Sequence, residues 1–284
     1  MTPQFDLHCH STVSDGLLAP ADLMAYAAER GVDVLALTDH DDVAGLAEAA
    51  EAAKAHGLGF INGVEISVTW HRRTLHIVGL KVDPEYAPLK DGLKRIRDSR
   101  HTRAQGMADS LARAGIAGSL EGAYAHATKG GIISRSHFAR WMVEQGYANE
   151  VRSVFKRFLV PGKPGYFEHN WADLEEAVSW IVGSGGVPVL AHPGRYDLGR
   201  TNMLNLLHEF RELGGKAVEV VTGSHTADQY QEFARLAHQF DLLASTGSDY
   251  HGPGMTYVEM GRLPALPSIC KPIWHDWAEM AAVH

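Results

Sequence analysis

Only two cysteines, Cys9 and Cys270, occur in 284 residues. Two are too few for a disulfide framework, and they lack metal-finger spacing, which fits a reducing compartment such as the cytoplasm. No apolar run approaches the ~20 residues of a spanning helix, and no basic segment followed by an apolar stretch opens the chain. A soluble, unprocessed protein without a membrane partner is therefore expected. A G-x-S-x-G elbow and a P-loop are also missing, so acyl transfer on serine and nucleoside-triphosphate switching have no motif behind them. There is no internal repeat and no low-complexity segment. With 45% hydrophobic residues, the chain can bury a large core as one or two domains.

Histidine is what the chain has in excess, at 17 residues. Two of them open the chain in "LHCHSTVSDG". Residues 5–9 read as a strand, on which alternate side chains share a face, so His8 and His10 point one way and Cys9 the other, toward core packing. Two histidines alone are as well explained by a core accident as by a metal chelate.

The pattern then alternates. Helices are expected near 20–30, 43–56, 172–183, 202–213 and 226–239; strands are expected at 33–38, 59–64, 74–82, 187–191, 216–221 and 242–246. With the first strand this makes seven. Such units imply parallel strands, in either a closed barrel or an open doubly wound sheet. Residues of roughly 90 to 167 lack strand patterns and read as a helical insertion. Within 94–163 there are 13 Lys/Arg against 5 Asp/Glu, net +8 in a chain of net −8, which leaves −16 elsewhere. The split suggests an insertion that faces something anionic, and acidity elsewhere that could serve cations.

Polar residues gather where these strands run out, the end at which parallel α/β folds build their sites. They are His8, His10 and Asp15; Asp39 and His40 in "LTDHD"; Glu65 in "GVEIS"; His76 in "HIVGL"; His192 in "AHPGRY"; and Asp249 and His251 in "GSDYH". Singly, each is ordinarily a hydrogen-bonded core residue. Jointly that reading fails, because buried imidazoles and carboxylates without cations are costly to desolvate. Setting Asp39 aside as an orienting or turn residue, nine ligands exceed the four to six of one divalent ion, so two or three ions are expected, with a carboxylate bridging.

These motifs, in this order and over nearly the full length, resemble the PHP (polymerase and histidinol phosphatase) family of metal-dependent phosphoesterases. The central "GGIISRSHFARWMVEQGY" and "FLVPGKPGY" are similar to its nucleoside 3′,5′-bisphosphate phosphatases, which also act as 5′-to-3′ exoribonucleases. The resemblance implies a distorted seven-stranded (β/α) barrel formed by 1–93 and 168–284, with 94–167 as a small basic helical insertion domain. It implies one ion at His8, His10, Glu65 and Asp249, a second at Glu65, His76 and His192, and a third at Asp15, His40 and His251. The carboxylate Asp15, where some branches have histidine, favours manganese, with iron or zinc as alternatives. Arg135, His137, Lys163 and Arg195 would hold phosphate groups of a nucleotide or a short 5′-phosphorylated RNA. His225 is a candidate proton donor to the leaving group, with a loop histidine as the alternative. The stripe Arg97, Arg100 and Arg103 is either an RNA contact or a solvated helix face. Clustered ions need no protein nucleophile. Two rivals remain open: a phosphatase for another small phosphoester, such as histidinol phosphate, and a non-catalytic, metal-stabilised module. No protein partner is expected.

Overall fold

The computed structural model describes residues 3–127, 132–255 and 258–277. Gly130 and Gly131, which open the central motif, lie outside them. Seven strands form one sheet in sequence order: β1 (Phe5–Asp6), β2 (Val34–Leu37), β3 (Gly59–Trp70), β4 (Arg73–Leu80), β5 (Val187–Leu190), β6 (Ala217–Thr222) and β7 (Leu243–Gly247). The sheet nearly closes where β1 meets β7. There Leu7 N donates to Thr246 O at 3.0 Å, Asp249 N to His8 O at 2.9 Å and His10 N to Tyr250 O at 2.8 Å. Helices α1 (Pro20–Glu29), α2 (Leu46–His56), α7 (Leu174–Gly183), α8 (Arg200–Glu212) and α9 (Ala227–Gln239) bury their apolar faces on this barrel. Sequence signals set their ends: Pro20 starts α1, Gly57 closes α2 in a left-handed conformation, and capping boxes open α7 at Asp173 and α9 at Thr226.

The sequence reading of all-parallel strands fails at β4, which runs antiparallel to both β3 and β5. The cause is local. β3 does not end at residue 64 but runs on to Trp70, and the two-residue turn His71–Arg72, with φ of 44° and 64°, folds the chain straight back into β4. Two successive positive φ values make the tight hairpin turn whose twist matches paired strands. One functional consequence follows. In a reversed strand, the first half lies at the site end, so His76 reaches the other ligands from the middle of β4 rather than from its terminus. β1 is also shorter than expected: beyond Asp6 the chain bonds instead to β7 and the segment after it, Leu7 N to Thr246 O and His10 N to Tyr250 O.

Between β4 and β5 the chain passes through α3 (Ala87–Arg113), α4 (Ser119–His126), α5 (Arg135–Glu144), α6 (Val151–Val154) and a π-helical turn at Phe155–Leu159. These helices share an apolar cluster of their own, including Met107, Leu111, Phe138, Met142 and Leu159. Helix α3 spans both bodies: Leu89, Leu93 and Ile96 pack on the barrel, and Ala104, Met107 and Leu111 pack in the second cluster. The expected boundary at 93/94 thus falls inside a continuous helix. Among the described residues, no helix is long and apolar enough to cross a membrane.

Candidate metal centre

Glu65, fully buried in the middle of β3, is the hub. Its Oε2 lies 2.7 Å from His40 Nδ1 and 3.4 Å from His10 Nε2; its Oε1 lies 2.8 Å from His76 Nδ1, 2.9 Å from His192 Nε2 and 3.3 Å from His8 Nε2. Asp249, held at φ 55° just beyond β7, brings Oδ1 to 3.2 Å from His10 and 3.6 Å from His8. Asp15 Oδ1 faces His251 Nε2 at 3.2 Å and His40 Nε2 at 3.9 Å. All nine residues therefore converge. Their donor atoms fall into four overlapping groups, each within 4.8 Å: His10, Asp15, His40 and His251; His8, His10 and Asp249; His8, Glu65 and His192; and His40, Glu65 and His76. Of the three sets drawn from the resemblance, Asp15, His40 and His251 fall within one group; Glu65 is not grouped with His10 and Asp249, His76 and His192 fall in separate groups, and His8, His10, His40 and Glu65 each stand between two groups.

The donor set fits cations. Two nitrogens held ~2.1 Å from one tetrahedral ion lie about 3.4 Å apart. The Nε2 atoms of His8 and His10 are 3.2 Å apart, and His76 Nδ1 is 3.3 Å from His192 Nε2. Buried Asp15 Oδ1, Glu65 Oε2 and His40 Nδ1 face one another or His251 at close range, but among the described residues none of these contacts has hydrogen-bond geometry, an expensive arrangement unless something else satisfies them. Protonation points the same way. Burial, reinforced by His251 and His40, pushes His10 down to about 3; burial and Arg195 do the same to His192, so both imidazoles are neutral ligands at neutral pH. For His251 burial works downward, but the facing Asp15 carboxylate overrides it and lifts the group to about 9. Glu65 is held well below the usual carboxylate range, where His40, His76 and His8 outweigh burial.

A supporting layer holds these residues in place. Glu219 on β6 accepts from His8 Nδ1 at 2.7 Å and from His192 N at 2.6 Å, fixing the His8 tautomer with Nε2 toward the cluster. The sequence reading missed it, although a carboxylate inside the apolar strand "AVEVVT" was a legible signal. Asp39 accepts from Ser11 N, Ser11 Oγ and Ser14 Oγ at 2.8, 2.6 and 2.6 Å, and Ser14 Oγ lies 3.5 Å from His10 Nδ1, which is the orienting position expected of it. Ser134, the N-cap of α5, donates to Asp15 Oδ2 at 2.9 Å and so ties the helical segment to the cluster.

The cavity above the cluster is walled by arginine. Arg100, Arg103, Arg135 and Arg195 line it, with Phe155 and Trp171. Arg195 reaches Asp249 Oδ2 at 2.5 Å. Arg100 and Arg103 are 5% and 8% exposed, so neither belongs to a solvated helix face; Arg97 instead donates to Asp41 O at 2.7 Å. A period-three pattern on a long helix could not reveal which neighbours would cover it. Arg103 and Arg135 have no carboxylate within ion-pair distance among the described residues. Arg103 lies over the Trp171 ring at 5.1 Å and Arg135 over Phe155 at 5.6 Å. Lys163 sits in an exposed turn and does not line the cavity. His137 does not line it either: its Nδ1 accepts from Ser134 N at 3.1 Å and completes the α5 cap. Both ring nitrogens of His225 are taken up by backbone, Nε2 by Gly194 N at 2.9 Å and Nδ1 by Val220 O at 3.1 Å, which leaves no proton to give a leaving group.

Comparison with known proteins follows the same lines. A family model described as the PHP domain matches residues 6–221. A relative from Chromobacterium violaceum named 3′,5′-nucleoside bisphosphate phosphatase is 51% identical over 271 residues, covering 95% of each chain. One from Escherichia coli (strain K12) named 5′-3′ exoribonuclease Rnm is 42% identical over 277 residues, 97% of this chain and 94% of its own. Among solved structures, an amidohydrolase from Chromobacterium violaceum with bound sulfate and no metal is similar with a TM-score of 0.93 and 50% identity, covering 99% of this chain and 96% of that one.

Proposed function

The chain belongs to the PHP domain family and is a phosphoester hydrolase; from that premise we propose that it removes the 3′-side phosphate of 5′-phosphorylated nucleotides, converting nucleoside 3′,5′-bisphosphates to 5′-monophosphates, and trims 5′-phosphorylated RNA from its 5′ end. The observation that carries the reading is the juxtaposition at one cavity of Glu65, within 3.4 Å of five imidazoles, and a wall of four guanidiniums. An ester with one phosphate at each end matches both halves. Two or three divalent ions, manganese first, held by the nine residues would activate water and neutralise charge on the scissile phosphate. The protein's own groups do the rest. Arg195, set by Asp249, and the unpaired Arg103 and Arg135 hold the second phosphate at a fixed distance from Glu65. Glu219 and Asp39 keep His8 and His10 aimed inward. A cytoplasmic location is part of this proposal, in keeping with two free thiols.

The test is phosphate release by manganese-loaded protein from a nucleoside 3′,5′-bisphosphate and from the matching 3′-monophosphate. The bisphosphate should react faster by about 100-fold or more, the order lost with charge-assisted orientation. Equal rates, or cleavage of RNA from its 3′ end, would refute the second-phosphate anchor.

A further inference from the structure

The turn "AHPGRY" carries two site residues three positions apart: His192 beside Glu65 and Arg195 on the cavity wall. Between them the Pro193–Arg195 segment makes a single 3-10 turn, entered through His192 at φ 27°, a conformation that side chains rarely adopt. Such backbone persists only where its surroundings over-determine it. Here Glu219 holds His192 N at 2.6 Å, and two side chains from the segment that follows β6 hold the turn beyond it. Gly194 N donates to His225 Nε2 at 2.9 Å, and Gly194 O accepts from Gln229 Nε2 at 3.2 Å. A Cβ on residue 194 would stand 2.6 Å from Gln229 Nε2 and 2.7 Å from the His225 ring, so only glycine lets both approach.

Neither clamp residue is free to move. His225 Nε2 accepts and therefore carries the lone pair, so Nδ1 holds the proton, and it faces Val220 O at 3.1 Å; the ring also stacks on Phe233 at 4.9 Å. Gln229 uses its other amide atom, Oε1, to accept from Thr226 N at 2.9 Å, closing the capping box of α9. The turn is thereby tied to the β6 backbone and to the start of α9 at once.

We propose that His225 and Gln229 are positioning residues that grip the Gly194 peptide from both sides, so that His192 and Arg195 are aimed at ion and phosphate as a unit. This rests on the phosphoesterase reading of the cavity. Gln229→Glu is the cleanest probe. A glutamate still closes the capping box, but its second oxygen would face Gly194 O, so attraction becomes repulsion while α9 stays capped. His225→Phe keeps the ring and removes the acceptor; His225→Gln restores an acceptor.

The experiment titrates manganese into metal-free protein by calorimetry, and separately measures kcat and KM for a nucleoside 3′,5′-bisphosphate. Gln229→Glu and His225→Phe should weaken one manganese site by about 10–100-fold, the range found when a partner behind a metal ligand is lost. They should also raise KM as well as lower kcat, because Arg195 moves with His192. His225→Gln should recover part of both effects. If His225→Phe does not fold, Gln229→Glu decides alone. Wild-type manganese affinity and KM in a folded Gln229→Glu protein would overturn the clamp and leave the phosphoesterase reading standing. A wild-type protein that bound no manganese and released no phosphate would overturn both.

Discussion

Asp41 follows His40 and is fully buried at φ 50°. Its Oδ1 accepts from Ser67 N at 2.7 Å; its Oδ2 accepts from Ser67 Oγ at 3.0 Å and from Arg100, by Nε at 3.0 Å and by a closer terminal nitrogen. Asp41→Asn keeps the size and tolerates the same left-handed backbone. It puts an NH2 group, with no lone pair to offer, where three donors now converge. The cost can be ordered. Removing the charge strands a guanidinium that is 5% exposed and faces a cavity already holding Arg103, Arg135 and Arg195. Breaking a buried pair from one side costs about 3–5 kcal/mol, which for a chain of this size lowers Tm by about 5–8 °C. Replacing both partners, as in Asp41→Asn with Arg100→Met, should recover more than half, because the stranded charge is then gone. Phosphate at millimolar concentration should rescue the single variant more than the wild type, since an anion in the cavity gives Arg100 a new partner. The assay is thermal unfolding by circular dichroism with and without phosphate. A single variant within about 1 kcal/mol of wild type, or a double variant no better than the single, would refute the reasoning.

Manganese affinity should rise with pH. The facing Asp15 carboxylate lifts His251 to about 9, and facing carboxylates also raise His8 and His40, so these imidazoles must release protons to become ligands, whereas His10 and His192, near 3, have none to lose. The expected gain is about tenfold per pH unit per displaced proton from pH 6.5 upward, levelling off above 9; calorimetry in buffers of different ionisation enthalpy counts the protons, and a flat profile would contradict the assignment. Glu65→Gln should abolish most manganese binding, read by elemental analysis after dialysis, because an amide removes the one carboxylate shared by five imidazoles; near-full metal content would exclude its bridging role. Arg103→Ala and Arg135→Ala should raise KM for the bisphosphate by about tenfold or more each while changing hydrolysis of the 3′-monophosphate little; equal effects on both substrates would show that these arginines do not hold the second phosphate.

Much of the site was legible in the sequence because most of its ligands are carried at strand ends and in short turns, with Glu65 and His76 inside β3 and β4 as the exceptions. The spacing of His8 and His10 follows from the two-residue repeat of an extended chain, and the clustering of "LTDHD", "AHPGRY" and "GSDYH" at one end follows from repeated β-α connections. Lys163 and His137 show where such reading stops. Both sit in turn-rich segments that suit phosphate binding, yet Lys163 is exposed and does not line the cavity, and His137 is consumed by capping its own helix.

Local sequence was enough for most of the strands and helices, for the nine polar residues of the cluster, seven of them at or just beyond strand ends, and for the excess of positive charge in the insertion. These depend on periodicity, capping and composition, which act over a few residues. Only the completed fold shows the sharing of His8, His10 and His40 between groups, the burial of Arg100 and Arg103, and the supporting roles of Glu219 and His225. Each of these depends on atoms far apart in the chain: His8 meets Glu219 across 211 positions and Arg100 meets Asp41 across 59. The energy of a buried charge is set by whichever group the completed fold brings within hydrogen-bond distance, and no local pattern encodes that partner.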